Sequence, residues 1–136
     1  MEKYSINGVS LLKNEKAIFP MMGEFHFSRC PEKEWEDEIR KMKACGMDII
    51  ATYVFWIHHE EEEGKFDFTG NRNLHDFLEA AKKVGISVFL RLGPWVHAEA
   101  RNGGFPDWLQ KKQDEIDLRS NDPAYLAYCL LYTSPS

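Results

Sequence analysis

Two nearly continuous apolar runs, residues 47–57 and 86–92, constrain the fold of this chain more than any other feature. Each run follows an amphipathic stretch that ends in a glycine, Gly46 in one case and Gly85 in the other. Such runs are typical of strands that are buried on both faces, and glycine commonly follows the end of a helix. The alternation of helix and buried strand predicts an α/β fold with a parallel sheet and right-handed connections.

The amphipathic stretches have apolar residues at helical spacing. Trp35, Ile39 and Met42 follow Pro31, and this stripe predicts a helix that ends at Gly46. A second helix, ending at Gly85, is predicted by the stripe Leu74, Phe77, Leu78, Ala81 and Val84. A further helix is expected to begin at Asn121 or Asp122, just before Pro123.

The N-terminal residues show the pattern of a β-hairpin. Asn7 and Gly8 lie between two short segments of strand-forming residues, 4–6 and 9–12. Asn-Gly tolerates positive φ angles, so the pattern predicts a type I′ turn at this dipeptide. The apolar segment 18–27 follows and is interpreted as the first strand of the main sheet.

A Trp-x-His-x-Glu pattern occurs twice, at residues 56–60 and 95–99, after the two predicted strands. Side chains at the carboxyl ends of parallel strands meet at one edge of a sheet, where active sites of α/β proteins are found. Glu99 follows a Gly-Pro break, which allows its carboxylate to face this edge. Carboxylates, imidazoles and aromatic rings together suit a carbohydrate ligand.

Structural roles remain open for the same residues. The two tryptophans of the repeated pattern are common core residues. Glu24 is expected to pair with Arg29 if it is structural, and Glu99 with Arg91 or Arg101. The run of His58, His59 and the four glutamates 60–63 could be a metal cluster, but adjacent histidines on a strand point to opposite faces. We therefore interpret this run as a solvated acidic turn.

Composition excludes several classes of function. The net charge of −5 argues against a nucleic-acid partner, which requires a basic face. Among the predicted strands, the longest near-apolar segment without a charged residue, 49–57, has nine residues, so no membrane span is expected. No signal peptide is recognisable, which favours a cytoplasmic protein, and three irregularly spaced cysteines suggest reduced thiols. The sequence contains no cofactor or metal motif, and 136 residues are too few for a complete eight-stranded barrel.

The last eight residues, 129–136, carry no charged side chain. All eight can be back-translated into a transposon-type sequencing adapter. We therefore expect residues 129–136 to be a non-native tail, although an ordinary apolar C-terminus is the alternative.

Four ordered motifs resemble the β-galactosidases of glycoside hydrolase family 35. They are Gly-Glu-Phe-His-Phe-Ser-Arg (23–29), Thr-Tyr-Val-Phe-Trp-Ile-His-His-Glu (52–60), Arg-Leu-Gly-Pro-Trp-Val-His-Ala-Glu (91–99) and Gly-Gly-Phe-Pro-Asp-Trp-Leu (103–109). The resemblance covers residues 4–128. It implies retaining hydrolysis of terminal β-galactosyl bonds, a carbohydrate substrate, and about three βα units from the start of a TIM (β/α)8 barrel, preceded by a short β-hairpin. Residues 1–128 would then be a partial catalytic domain.

The resemblance also implies which residues line the sugar pocket. The matching positions are Tyr53, Ala98 and Glu99, and His97 occupies a position that touches the sugar in some members. The family usually has Trp after Ala-Glu, whereas this chain has Ala100, so the outer wall of the pocket is expected to differ. The family's acid/base and nucleophile glutamates belong to later strands, so both are expected beyond residue 128. The alternatives are a non-catalytic carbohydrate-binding module and a related barrel glycosidase that acts on another sugar.

Overall fold

The structure, a computed structural model, describes residues 3–97 and 99–133 as a mixed α/β fold with two three-stranded sheets. The strands are β1 (Tyr4–Ile6), β2 (Leu11–Lys13), β3 (Lys16–Ile18), β4 (Met22–Glu24), β5 (Ile49–Tyr53) and β6 (Ser87–Arg91). The α-helices are α1 (Trp35–Ala44), α2 (Trp56–His59), α3 (Leu74–Val84), α4 (Asp107–Gln110) and α5 (Pro123–Thr133).

The antiparallel sheet β1–β2–β3 confirms the predicted hairpin but not its turn. Ile6 pairs with Leu11, so four residues join β1 to β2, and the Asn7 side chain accepts hydrogen bonds from the following backbone. The turn with two positive φ angles lies instead at Asn14 and Glu15, with φ of 49° and 67°. Asn7 therefore shapes its loop through its side chain and not through a left-handed backbone.

The parallel sheet has the order β4–β5–β6. The first strand predicted within residues 18–27 is confirmed as β4, but its extent is wrong, because Ile18 ends β3 in the small sheet and Met22 begins β4 in the large one. Pro20 lies between the two strands, and proline has no N–H to donate to a strand ladder.

Helices α1 and α3 confirm the two predicted helices and pack together on one face of the parallel sheet. Gly85 ends α3 in the left-handed region at φ 77°, and Asn73 caps its start by accepting a hydrogen bond from Asp76 N. The core between these elements contains Phe27, Trp35, Ile39, Ile50, Val54, Phe77, Ala81, Val84 and Ile86. On β6, Val88 and Leu90 pack against this core, whereas Phe89 between them is 52% exposed. One face of the sheet is therefore covered by helices and the other is open at β6.

A second core cluster surrounds Trp56, which belongs to α2 and is fully buried. The strand predicted over residues 47–57 is therefore shorter than expected, since β5 ends at Tyr53. α5 begins after Asp122, whose carboxylate accepts a hydrogen bond from Ala124 N and confirms the predicted helix start. Within the segment interpreted as a tail, the Tyr132 ring stacks on Trp56 at 4.9 Å. None of the helices in the described part of the chain is long and apolar enough to cross a membrane.

Candidate functional site

The carboxyl ends of the three parallel strands bring Glu24, Tyr53 and Arg91 together. Tyr53 and Arg91 are paired in register at the ends of β5 and β6. The guanidinium carbon of Arg91 lies 3.7 Å from the centre of the Tyr53 ring, and Arg91 Nη1 donates a hydrogen bond to Tyr53 Oη at 3.1 Å. Arg91 Nη2 forms an ion pair with Glu24. Glu24 thus pairs with a cation two strands away, and not with the nearby Arg29 that sequence proximity suggested.

His26 lies beside this group. Its ring is 5.4 Å from that of Tyr53 and 5.5 Å from that of Phe55, and its Nε2 is 3.8 Å from a Glu24 oxygen. Burial lowers the pKa of His26 below 6.5, and the charge of Arg29 lowers it further. A neutral imidazole therefore occupies this position near pH 7.

Glu99 is an exposed carboxylate with a left-handed backbone, at φ 54°. It has no ion pair within residues 3–97 and 99–133. Arg91 pairs with Glu24, and Arg101 pairs with Asp107 at 2.9 Å. The structural role in which Glu99 would neutralise Arg91 or Arg101 is therefore wrong. A non-glycine residue held in this backbone region carries local strain, which is more common at functional sites than elsewhere.

A surface cavity of about 530 Å³ adjoins Glu99. It is lined by Arg29, Ile57, His58, Glu61, Glu99, Ala100, Arg101 and Asp107. His58 Nδ1 lies 3.0 Å from Ser28 Oγ, and burial, followed by the charges of Arg72 and Arg29, lowers the pKa of His58. The cavity thus offers both hydrogen-bond donors and acceptors to a polar ligand.

The loop that carries Glu99 is closed by contacts between the residues that precede and follow it. Val96 N donates to Gly103 O at 2.8 Å. Gly103 has φ 62° and lies so close to the Trp95 indole that an added Cβ would be 1.9 Å from Nε1. Gly104 is similarly close to Val96. Only glycine fits this approach, which holds the two ends of the loop together.

The two copies of the Trp-x-His-x-Glu pattern have different environments. In the first copy, buried Glu60 accepts hydrogen bonds from Trp56 Nε1 at 2.5 Å and from Gly64 N at 2.7 Å. The carbonyl oxygen of Glu60 also accepts a hydrogen bond from Trp108 Nε1. Glu60 of the first copy therefore has a structural role, since its hydrogen bonds connect it to Trp56, Gly64 and Trp108. Glu99 of the second copy is instead exposed at the cavity.

The structure does not gather all four predicted site residues in one cavity. Tyr53 belongs to the Arg91 group, and Glu99 lines the cavity. His97 is exposed, with its ring 5.3 Å from that of Trp95, and Ala98 lies outside the described residues. The sequence analysis missed Arg91 as a partner of Tyr53. The available signal was a charged residue at the very end of an apolar strand. The described residues contain no cluster of three or more His, Cys, Asp or Glu side chains that could hold a metal ion.

Comparison with known proteins identifies the family. The sequence model described as "Glycosyl hydrolases family 35" matches residues 10–135. The chain belongs to glycosyl hydrolase family 35. Among its relatives, a β-galactosidase of Xanthomonas manihotis is 37% identical over 95% of this chain and 21% of its own length. The human β-galactosidase is 42% identical over 87% of this chain and 17% of its own length.

One relative has another named activity. An exo-β-D-glucosaminidase of Pyrococcus horikoshii is 43% identical over 82% of this family 35 chain and 15% of its own length. A solved exo-β-1,4-mannosidase from an Opitutaceae bacterium shares the fold, with a TM-score of 0.64 and 18% identity over 85% of this chain and 21% of its own. The chain thus spans between 15% and 21% of the length of these proteins.

Proposed function

We propose that this chain is part of a retaining glycoside hydrolase that releases terminal β-galactosyl residues. Its family membership and its β-galactosidase relatives support this activity. The three parallel strands represent the start of a TIM (β/α)8 barrel, in which residues 1–128 belong to the catalytic domain and 129–136 are non-native. The exposed edges of the β4–β5–β6 sheet and the exposed Phe89 support further strands beside them.

In this proposal Tyr53, His97, Ala98 and Glu99 form a wall of the sugar site. Retaining hydrolysis requires two carboxyl groups about 5 Å apart, one as nucleophile and one to protonate the leaving oxygen. The family resemblance assigns both to segments that follow residue 128, so Glu99 binds the sugar and performs neither step. The observation that carries this role is the exposed Glu99 carboxylate, which adjoins a polar cavity while both candidate arginine partners are paired with other carboxylates.

An ionised Glu99 accepts hydrogen bonds from sugar hydroxyls. A hydrogen bond to a charged group contributes about 1.5–3 kcal/mol. Where the bond strengthens in the transition state, its loss lowers kcat as well as affinity. Glu99→Gln should therefore reduce kcat/KM about ten- to a hundredfold, because about 1.4 kcal/mol corresponds to a factor of ten. The covalent glycosyl-enzyme should still form.

A second candidate is hydrolysis of another β-glycoside, above all of a β-glucosaminide. It is favoured by the 43% identical relative named as an exo-β-D-glucosaminidase. The Ala100 side chain, where the family usually has Trp, leaves more room beside the proposed sugar site.

The test uses the longer protein that carries this chain, assayed on chromogenic β-galactoside and β-glucosaminide. Glu15→Gln is the matched control, because Glu15 is also exposed at a positive φ but lies in the β2–β3 turn. We expect a galactoside preference, a loss of kcat/KM in Glu99→Gln, and no loss in Glu15→Gln. A glucosaminide preference would support the second candidate. Unchanged kinetics with a lowered melting temperature in Glu99→Gln would refute the sugar-binding role.

A further inference from the structure

The Tyr53 hydroxyl has a defined hydrogen-bond direction. Arginine side chains only donate hydrogen bonds, so Tyr53 Oη must be the acceptor in its contact with Arg91 Nη1. The hydrogen of Tyr53 therefore remains available for a further bond. Within residues 3–97 and 99–133 the Tyr53 hydroxyl donates no hydrogen bond. Tyr53 is only partly buried, so the hydroxyl can reach a ligand at the strand ends.

The guanidinium of Arg91 is itself fixed from two directions. Its carbon lies 3.7 Å above the Tyr53 ring, which is the geometry of a cation–π contact. On the other side Arg91 pairs with Glu24. Register fixes the backbone beneath these contacts, since Tyr53 and Arg91 are partners in the parallel ladder. The planar guanidinium thus connects the carboxylate of β4 with the phenol of β5.

From this arrangement we propose that Arg91, held by Glu24, is a positioning residue that makes Tyr53 a hydrogen-bond donor to an acceptor oxygen of the sugar. Arg91 donates its hydrogen bond to a lone pair of the Tyr53 oxygen, so the ligand contacts the hydrogen of the hydroxyl group. The stacked guanidinium also limits rotation of the Tyr53 ring, which places the donor before the sugar arrives. The inference rests on the proposed function, because it assigns the orientation of a residue in the proposed sugar site.

A double-mutant cycle in the longer protein tests this role, using whichever chromogenic glycoside the wild type hydrolyses fastest. We expect Arg91→Met and Tyr53→Phe each to lower kcat/KM about tenfold, as for the loss of one hydrogen bond to a charged or oriented partner. If Arg91 acts through the Tyr53 hydroxyl, the double variant should lose about tenfold as well, and not about a hundredfold. Arg91→Lys should recover part of the loss.

Mono-deoxy substrates give a second readout that a purely structural role would not change. Arg91→Met and Tyr53→Phe should no longer lower kcat/KM on one and the same deoxy sugar, because both variants remove the hydrogen bond from Tyr53 to a single sugar oxygen. Arg40→Met is the control, since Arg40 pairs with Glu36 on the exposed face of α1. It should leave all kinetic constants unchanged.

The outcomes separate the two proposals. A wild-type protein that cleaves no glycoside would refute the proposed function and this inference with it. An active wild type that is insensitive to Tyr53→Phe would remove Tyr53 from the sugar site and overturn the inference. If both single variants are impaired but their losses multiply in the double variant, Tyr53 stays in the site and the positioning role of Arg91 is wrong.

Discussion

His59 should make the stability of this fold depend on pH in a predictable direction. The residue is fully buried, with its ring 6.1 Å from that of Phe27 and 4.6 Å from that of Phe68, nearly parallel to both. Its Nδ1 lies 3.0 Å from the carbonyl oxygen of Asp67. Because a carbonyl only accepts hydrogen bonds, we assign the hydrogen of the neutral ring to Nδ1. His59 Nε2 is buried without a partner among the described residues.

The magnitude follows from the pKa of this imidazole. Burial lowers the pKa of His59 from 6.5 to about 4, and the positive charges of His58 and Arg72 act in the same direction. Between these two values the unfolded chain binds a proton that the folded protein does not. The free energy of unfolding therefore falls by about 1.4 kcal/mol for each pH unit below 6.5. The contribution of neutral His59 to the free energy of unfolding is fully present above pH 6.5, and about 3 kcal/mol is lost as the pH approaches 4.

His59→Phe removes this titration and keeps an aromatic ring between Phe27 and Phe68. The variant loses the hydrogen bond to Asp67, which costs about 1 kcal/mol. It should therefore be less stable than the wild type at neutral pH and more stable near pH 4.5. The two stability curves should cross at about pH 6, where the wild type has lost about 1 kcal/mol.

The assay is urea unfolding of the longer protein from pH 4.5 to 7.5, followed by tryptophan fluorescence. Carboxylates titrate in both proteins, so the difference between the two curves isolates His59. A constant packing penalty would displace the variant curve without changing its slope, which makes the slope the decisive quantity. His75→Phe is the control, because the His75 side chain is 82% exposed on α3. Parallel curves for wild type and His59→Phe would refute the reasoning.

Three further predictions concern the loop, the open sheet face and the chain by itself. Gly103→Ala places a methyl group against Trp95 and should destabilise the fold by about 1–3 kcal/mol more than Gly64→Ala, whose methyl meets nothing within 4 Å at a similar φ. Equal melting temperatures for the two variants would contradict the role of this contact. Because Phe89 is 52% exposed and both sheet edges are open, the isolated chain should self-associate in sedimentation experiments. Phe89→Lys should shift it towards monomer, and a monodisperse wild-type monomer would count against this. The purified chain should hydrolyse no β-galactoside, and clear turnover that is lost in Glu99→Gln would make Glu99 catalytic.

The second and third parallel strands were predictable from the sequence because both are densely apolar, and the end of α3 was predictable from Gly85. The burial on both faces that the apolar run 86–92 indicated is wrong for β6, because Phe89 is 52% exposed on the open face of the sheet. The break at Pro20 was visible in the sequence, but its consequence depended on which sheet each half of the segment 18–27 would join. Asn14 and Glu15 form a two-residue turn that contains no glycine, so its sequence does not indicate positive φ angles. These angles result from the pairing of β2 with β3.

The site was predictable only in part, because its contacts depend on strand register and loop closure. Glu24 and Arg91 are far apart in the sequence, and their pairing requires the order β4–β5–β6. Likewise, the environment of Glu99 depends on the close approach of Gly103 to Trp95, which no periodic pattern encodes. The residue types at the strand ends therefore indicated where the site lies, whereas the contacts that these residues make could not be predicted from the sequence.

The strand order of the parallel sheet has a consequence for synthesis on the ribosome. β4, β5 and β6 lie side by side in the order in which they occur in the chain. When a strand emerges from the ribosome, the neighbour with which it pairs has therefore already been synthesised. The new strand adds to the open edge of the sheet and does not have to separate strands that are already paired. The cost of closing each connection stays similar as the sheet grows, because residues 25–48 join β4 to β5, residues 54–86 join β5 to β6, and the closure entropy rises only slowly with length. Such a sheet can form progressively during translation, one βα unit at a time.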